Sequence, residues 1–406
     1  MAGNFVQLHN HTHYSLLDGA SKVPDLVKRV KELGMPAVGI TDHGNMHGAY
    51  ELWRAAVDSG VKPIIGIEAY VTPETARQDK TRVSWDTNWT PVPGHARNPD
   101  DVSGGGLITH LTMWAENDEG LVNLIKASSV ANLEGRVMRY PRMDKEVLST
   151  YSKGVIASSG CPSGIIQTRL RLGQFDEALR AAGEFQDIFG KDNFYIELMD
   201  HGLSIESKVT GDLLTIAKKL GAPLLATNDS HYVMEADKDA QDAMLCINSG
   251  ATLDDPNRFK FEGSGYYIKS AEEMRELFKD HPDACDNTLE IAERCNVIFD
   301  DHEDGAFMPQ FDCPEGWDET SLFLKKVEEG LEKRYDGNPP MEVLKQADYE
   351  CGVICQMQFC GYFLVVADYI NWAKEHGVMV GPGRGSAAGA MVAYAMGITE
   401  LDPLKH

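Results

Sequence analysis

The sequence predicts an α/β chain, with a parallel sheet or barrel of strand–helix units first and a mostly helical region after about residue 280. Three observations carry this. Short apolar runs alternate with amphipathic stretches through the first 227 residues, the pattern of parallel strands joined by crossover helices. Helical periodicity dominates from about residue 280 onward. Residues 307–317, with their prolines and glycine, read as a linker inside that second region.

Taken in order, residues 5–9 read as a strand. Residues 23–33 read as a helix, with Val23, Leu26, Val27, Val30 and Leu33 on one face and Gly34 as its stop. Residues 38–41 and 63–69 are strands. Residues 72–106 are rich in Pro, Asn, Asp and Gly and read as a surface insertion. The alternation resumes with a strand at 107–114, a helix at 119–131 and a strand at 154–159. Helices at 165–172 and 177–189, a strand at 194–198, a helix at 205–220 and a strand at 223–227 complete it. Further on, a helix from 362 to 377 and a short strand at 378–380 lead into GPGRGSAAG. No fixed-period repeat is found.

Composition narrows the function. With 406 residues, 43% hydrophobic and 25% charged, the chain can build two or three domain cores without disulfides. No run approaches the ~18 apolar residues of a membrane span. The start, MAGNFVQLHNH, is not a secretory signal, so a cytoplasmic location is expected. The net charge of -24 excludes a surface that is basic throughout, as whole-surface nucleic-acid binding would require, but permits local basic strips. Cys351, Cys355 and Cys360 lie close together without a nearby histidine at finger spacing, and read as packed thiols on a buried helix.

The chemistry-bearing residues fall at the expected strand ends, the face where strand–helix folds place sites. His9 and His11 form an H-x-H pair on one side of a strand. Asp18 follows. His43 lies in TDHGN, Glu68 in IIGIEAY, His110 in LITHLTMW and Cys161 in SSGCPSG, and Asp229 and His231 form a D-x-H pair in NDSHY. Each alone has a bland explanation: a core histidine, an Asp-Gly turn, a packed thiol. Jointly, nine candidate ligands suit two or three divalent ions, and the mix of imidazole, carboxylate and thiolate favours Zn or Mn.

The segments HNHTHYSLLDG, TDHGNM, IIGIEAY, GCPSG and NDSHY resemble the polymerase-and-histidinol-phosphatase (PHP) domain. The whole chain, MVGPGRGSAAGAMVAYAMGITELDPL included, resembles bacterial DNA polymerase III alpha subunits, the replicative C-family polymerases, in an actinobacterial-like version. The resemblance implies a distorted (β/α)7 PHP barrel at residues 1–285. The truncated, mostly helical start of a polymerase palm would follow at 286–406. It implies a trinuclear site, with His9, His11, Glu68 and Asp229 on one ion, Glu68, His110 and Cys161 on a second, and Asp18, His43 and His231 on a third. An intact set implies a proofreading 3'→5' exonuclease acting through those metals. His13, where many relatives carry an acid, is left unassigned.

The resemblance also makes Gly383, Arg384, Gly385 and Ser386 contacts to the triphosphate of an incoming nucleotide, with Ala390 a small departure from relatives that carry Ser. The paired aspartates that hold Mg for nucleotidyl transfer are not found after the glycine loop, so these 406 residues alone are expected not to extend a primer. Implied partners are primer–template DNA, deoxynucleoside triphosphates, the sliding clamp, and the clamp-loader and helicase complexes. Two other readings use the same ligands: a stand-alone small-molecule phosphoesterase, and a metal-stabilised, non-catalytic scaffold.

Overall fold

The structure, a computed structural model, describes residues 5–86, 89–90, 98, 100–101, 105–263, 265–300 and 309–405. It divides into two units, Met1–Phe299 and Asp300–His406. Parts of the expected insertion and of the 307–317 linker lie outside the described residues.

The first unit opens with α1 (Val23–Glu32), whose Pro24 sits in the first turn and whose Val23, Leu26, Val27 and Val30 are buried. Gly34, at φ 68°, ends the turn that follows. Then come β1 (Ala37–Ile40), α2 (Ala49–Ser59), β2 (Lys62–Val71), β3 (Thr109–Ala115) and α3 (Asp118–Glu134). The chain continues through β4 (Arg142–Met143), α4 (Lys145–Thr150), β5 (Val155–Ser158), α5 (Ile165–Arg171) and α6 (Phe175–Phe189). β6 (Phe194–Leu198), α7 (Ser204–Leu220), β7 (Leu224–Ala226), α8 (Lys238–Ser249), α9 (Ala271–Leu277) and α10 (Pro282–Arg294) finish the unit.

The strands pair in the order β1-β2-β3-β5-β6-β7, with β4 alongside β2. Residues 5–9, expected as a strand, make isolated bridges instead. Gln7 bridges Val38 of β1, and Asn10 bridges Ser230 just beyond β7. The N-terminal segment therefore touches both ends of the strand order and curls the sheet into a barrel. β1, β5 and β6 are buried along their whole length, as their unbroken apolar runs require when both faces are covered.

The expectation of a parallel sheet fails at one strand. β3 runs antiparallel to both β2 and β5. Its link to β2 is the polar segment 72–108, not a crossover helix, so nothing obliges the chain to return in the same direction. Arg142, fully buried, braces that segment by donating to the carbonyls of Arg77, Asp79, Leu107 and Gly135 at 2.7–3.3 Å.

One end of the barrel is closed by an apolar layer. Val6, Leu8, Ala37, Ile64, Trp114, Ile156, Tyr195 and Leu225 pack with Ile291, Ala292 and Cys295 of α10. Thr288 Oγ1 also accepts from Val6 N at 3.1 Å. α10 is thus part of the first unit, and the division falls at 299/300 rather than at the expected 285/286.

The second unit packs α11 (Glu319–Arg334), α12 (Met341–Gln356), α13 (Cys360–Glu375) and the five-residue α14 (Met391–Ala395) around Phe323, Val327, Leu331, Ala347 and Met391. The strand expected at 378–380 does not form. Among the described residues this unit has no strand to pair with, and Met379 is 97% exposed. The glycine loop is followed by a single 3-10 turn, Ser386–Gly389, so the expected long helix N-terminus behind it is absent. Among the described residues no single helix is long and apolar enough to cross a membrane.

Candidate metal centre

The mouth of the barrel opposite α10 gathers all nine predicted side chains. His43 follows β1 and bridges Glu68 of β2. Cys161 follows β5, and Asp229 and His231 follow β7. His110 is the exception to the expected strand-end placement, because it lies near the start of its strand. Since β3 runs backwards, its start and its neighbours' ends share one face.

Distances among the side chains are short. Asp229 Oδ1 lies 3.3 Å from His9 Nε2 and 3.0 Å from His11 Nε2. Glu68 Oε1 is 3.4 Å from His9 Nε2, while its Oε2 is 2.7 Å from His43 Nδ1 and 3.1 Å from His110 Nδ1. Cys161 Sγ is 3.4 Å from His110 Nδ1. Asp18 stands 3.1 Å from His43 Nε2 and 3.9 Å from His231 Nε2. Three sets of ligand atoms, His9/His11/Asp229, His11/His43/His231 and His43/Glu68/His110, each lie within 4.8 Å of one another. His13 belongs to none of these sets. The chain turns at that position, and the ring lies against Tyr14 at 4.3 Å.

Side chains behind the cluster fix which imidazole nitrogens face it. His231 Nδ1 donates to the Asp229 carbonyl at 2.8 Å, because a carbonyl only accepts. Ser15 Oγ donates to Asp42 at 2.7 Å, so it accepts from His11 Nδ1 at 2.9 Å. His9 Nδ1 meets Glu197 Oε1 at 2.7 Å. Glu197 is buried in β6 and also accepts from Thr227 Oγ1 at 2.5 Å and from Ser158 Oγ. In all three histidines Nε2 is left facing the cluster, with its lone pair free when the ring is neutral. Such backing by carboxylate, hydroxyl or carbonyl groups is typical of metal-binding imidazoles.

The electrostatics describe a site short of cations. Eight buried atoms form no hydrogen bond of acceptable geometry: His9 Nε2, His11 Nε2, His43 Nδ1, His231 Nε2, Asp18 Oδ1, Asp229 Oδ1 and both Glu68 oxygens. Burial, reinforced by His43 and His231, pushes His11 down to about 3. Burial would likewise lower His9, but the charges of Glu197 and Asp229 outweigh it and raise it. Burial opposes ionisation of Asp18 and Glu68, yet their histidine neighbours hold Asp18 at about 2 and Glu68 well below the usual carboxylate range. Burial and the Glu68 charge hold the Cys161 thiol protonated, a balance that an adjacent cation inverts. Asp229 also sits at φ 44°, in the left-handed region, a strain of roughly 1–3 kcal/mol that clusters at functional sites. The donor set fits divalent metal ions.

Sequence reading missed Glu197, Ser15 and Asp42. Glu197 had one available signal, as the only acid in the strand FYIEL. Elsewhere, Cys355 and Cys360 approach to 3.5 Å between sulfurs, but no ligand set forms around them among the described residues. Gly383, Arg384, Gly385 and Ser386 are all exposed. Gly383 at φ 126° and Gly385 at φ 79° adopt backbone that favours glycine.

Residues 7–201 match the family model of the PHP domain, and residues 321–406 match that of the bacterial DNA polymerase III alpha NTPase domain. The chain is 51% identical over 404 residues to the DNA polymerase III subunit alpha of Mycobacterium leprae, covering 99% of this chain and 34% of that protein. It is 41% identical over 404 residues to the corresponding subunit of Treponema pallidum, covering 99% and 32%. Among solved structures, an amidohydrolase from Chromobacterium violaceum aligns over 56% of this chain and 87% of its own, at 15% identity and a TM-score of 0.33. The chain spans about a third of the length of the polymerase subunits it matches. Over that third it belongs to the family of bacterial DNA polymerase III alpha subunits, with a PHP domain at residues 7–201.

Proposed function

We propose that the barrel mouth is a trinuclear centre that hydrolyses the terminal phosphodiester of a DNA 3' end, a 3'→5' exonuclease within a replicative polymerase. The observation that carries the reading is the convergence of eight unpartnered buried ligand atoms in one mouth. The ions are assigned as His9, His11, Glu68 and Asp229 on the first, Glu68, His110 and Cys161 on the second, and Asp18, His43 and His231 on the third. Glu68 then bridges the first two. Mixed nitrogen, oxygen and sulfur donors favour Zn or Mn.

When bound, the cations supply Lewis acidity toward water and phosphate. The protein's part is positioning. Glu197 and Ser15 lock the rings of His9 and His11, and the buried, protonated Cys161 thiol is unsuited to attack phosphorus itself. In the second unit, Gly383, Arg384, Gly385 and Ser386 are assigned to the triphosphate of an incoming deoxynucleotide. DNA synthesis with Mg, on primer–template DNA with the sliding clamp and other replisome subunits in the cytoplasm, is the activity proposed for the full-length polymerase.

The test is a 5'-labelled single-stranded oligonucleotide incubated with the Zn- or Mn-loaded protein. Stepwise shortening from the 3' end is expected, falling by more than about 100-fold in Asp229→Asn. Faster turnover of small phosphate monoesters would support a small-molecule phosphoesterase. Metal-dependent melting without any shortening would support a scaffold.

A further inference from the structure

Beside the metal cluster, α8 and the loop after it enclose a cavity of about 290 Å3. Tyr232, Lys238, Gln241, Arg258, Lys260 and Phe261 line it, with Asp239 and Asp242. It abuts the centre directly. The Phe261 ring stands edge-on to the ligand His231 at 4.6 Å, and Gln241 Nε2 donates to the Asp18 carbonyl at 3.1 Å.

The lining is unusual for a chain of net charge -24. Arg258 is spent on Asp242, to which it binds through both terminal nitrogens, and on the Leu253 carbonyl at 3.2 Å. That pairing closes the loop over α8 and neutralises Asp242. Lys238 and Lys260 remain, opposed only by Asp239, and neither forms an ion pair among the described residues. Phe261 is half-buried, and Phe259, 60% exposed, stands edge-on to it at 5.9 Å. Aromatic faces with flanking lysines form a base-stacking, phosphate-holding platform. The volume lies at the lower end of ligand pockets, enough for one nucleotide.

We propose that this cavity is the subsite for the nucleotide next to the scissile phosphate of single-stranded DNA. Its base lies against Phe261 and its phosphate between Lys238 and Lys260. The assignment rests on the nuclease reading of the neighbouring cluster and adds to it a reason for preferring a strand over a small phosphate ester. A monoester bound at the metals would not reach both lysines.

The test compares the Lys238→Ala/Lys260→Ala double variant with wild type on dodecathymidylate and on bis(p-nitrophenyl) phosphate. The ratio of the two kcat/KM values is expected to shift about tenfold against the oligonucleotide, through KM. The slope of log affinity against log salt should fall by roughly 1.4, about 0.7 for each lost phosphate contact. Phe261→Leu, which keeps packing against His231, should raise the oligonucleotide KM at unchanged metal content. An unchanged ratio and salt slope, or equal losses on both substrates, overturn the subsite. If wild type cleaves neither substrate, the nuclease reading falls, and the subsite is judged on binding alone. Fluorescence anisotropy with a hydrolysis-resistant phosphorothioate dodecathymidylate then decides. About tenfold weaker binding by the double variant supports the subsite, and equal binding overturns it.

Discussion

Replacing Glu197 by Gln should weaken metal binding without unfolding the barrel. The carboxylate receives His9 Nδ1 at 2.7 Å, Thr227 Oγ1 at 2.5 Å and Ser158 Oγ, all within a fully buried layer. Glutamine is nearly isosteric. Its oxygen still accepts from His9, and both hydroxyls rotate to accept from its amide. What is lost is the charge. A hydrogen bond to a charged group is worth about 1.5–3 kcal/mol against about 0.5–1.5 for a neutral one, so the His9 bond loses roughly 1–1.5 kcal/mol. That is about tenfold in affinity, the lower edge of the usual 10–100-fold for an orienting partner. Competition with a chromophoric zinc chelator measures it directly, and melting of the chelated protein controls for folding. Zinc affinity within twofold of wild type would refute the orienting role. A fall in metal-free melting temperature as large as the fall in the metal-loaded protein would refute it too, leaving Glu197 a structural residue.

Stripping metal from the wild type should lower its melting temperature by roughly 5–10 °C, since a ligand at 100 times its Kd contributes about 2.7 kcal/mol; an unchanged scan would count against cation binding. Arg142→Lys should cost roughly 3 kcal/mol in urea unfolding, because one ammonium cannot span the carbonyls of Arg77, Asp79, Leu107 and Gly135; a loss under about 1 kcal/mol would contradict that. In the second unit, hydrogen bonding to Arg334, helped by Lys374, holds Glu400 down at about 2. A depressed carboxylate stabilises above its unfolded value near 4.5 and loses that contribution as pH falls toward about 2. Since Glu400 is 39% exposed, screening leaves roughly 1 kcal/mol. Urea unfolding of Glu400→Gln should therefore differ from wild type by that amount at pH 7, and the gap should close between pH 4.5 and 2. A gap that persists at pH 2 would rule out the ion pair as its source.

The sequence carried the ligand set because ligand chemistry is written in residue types, and strand ends are written in short-range patterning. His9, His43, Cys161 and Asp229 were all legible on those terms. The direction of β3 was not, because it depends on a connection without a helix. The place of α10 was hidden for a related reason. Its apolar stripe of Ala284, Cys285, Thr288, Ile291 and Ala292 reads the same whether it closes a barrel or joins a helical bundle. Residues 378–380 misled because a V-M-V run states extended preference, while a strand also needs a partner. Glu197 escaped because its meaning lies in His9, 188 residues away.

Arg142 and the cluster together argue against reading the orphaned atoms as loose packing. The same fold that finds four carbonyls for one buried guanidinium leaves eight ligand atoms facing one another unpaired, with Asp229 held in strained backbone. A network meant to satisfy itself would turn imidazole N–H groups toward the carboxylates. Here the Nδ1 hydrogens of His11 and His231 are drawn outward, to Ser15 and the Asp229 carbonyl. The opposite mouth is sealed by α10 and the Trp114 layer. Cations and their substrate must therefore enter from the ligand side, and the cavity of Lys238, Lys260 and Phe261 opens beside His231 on that side.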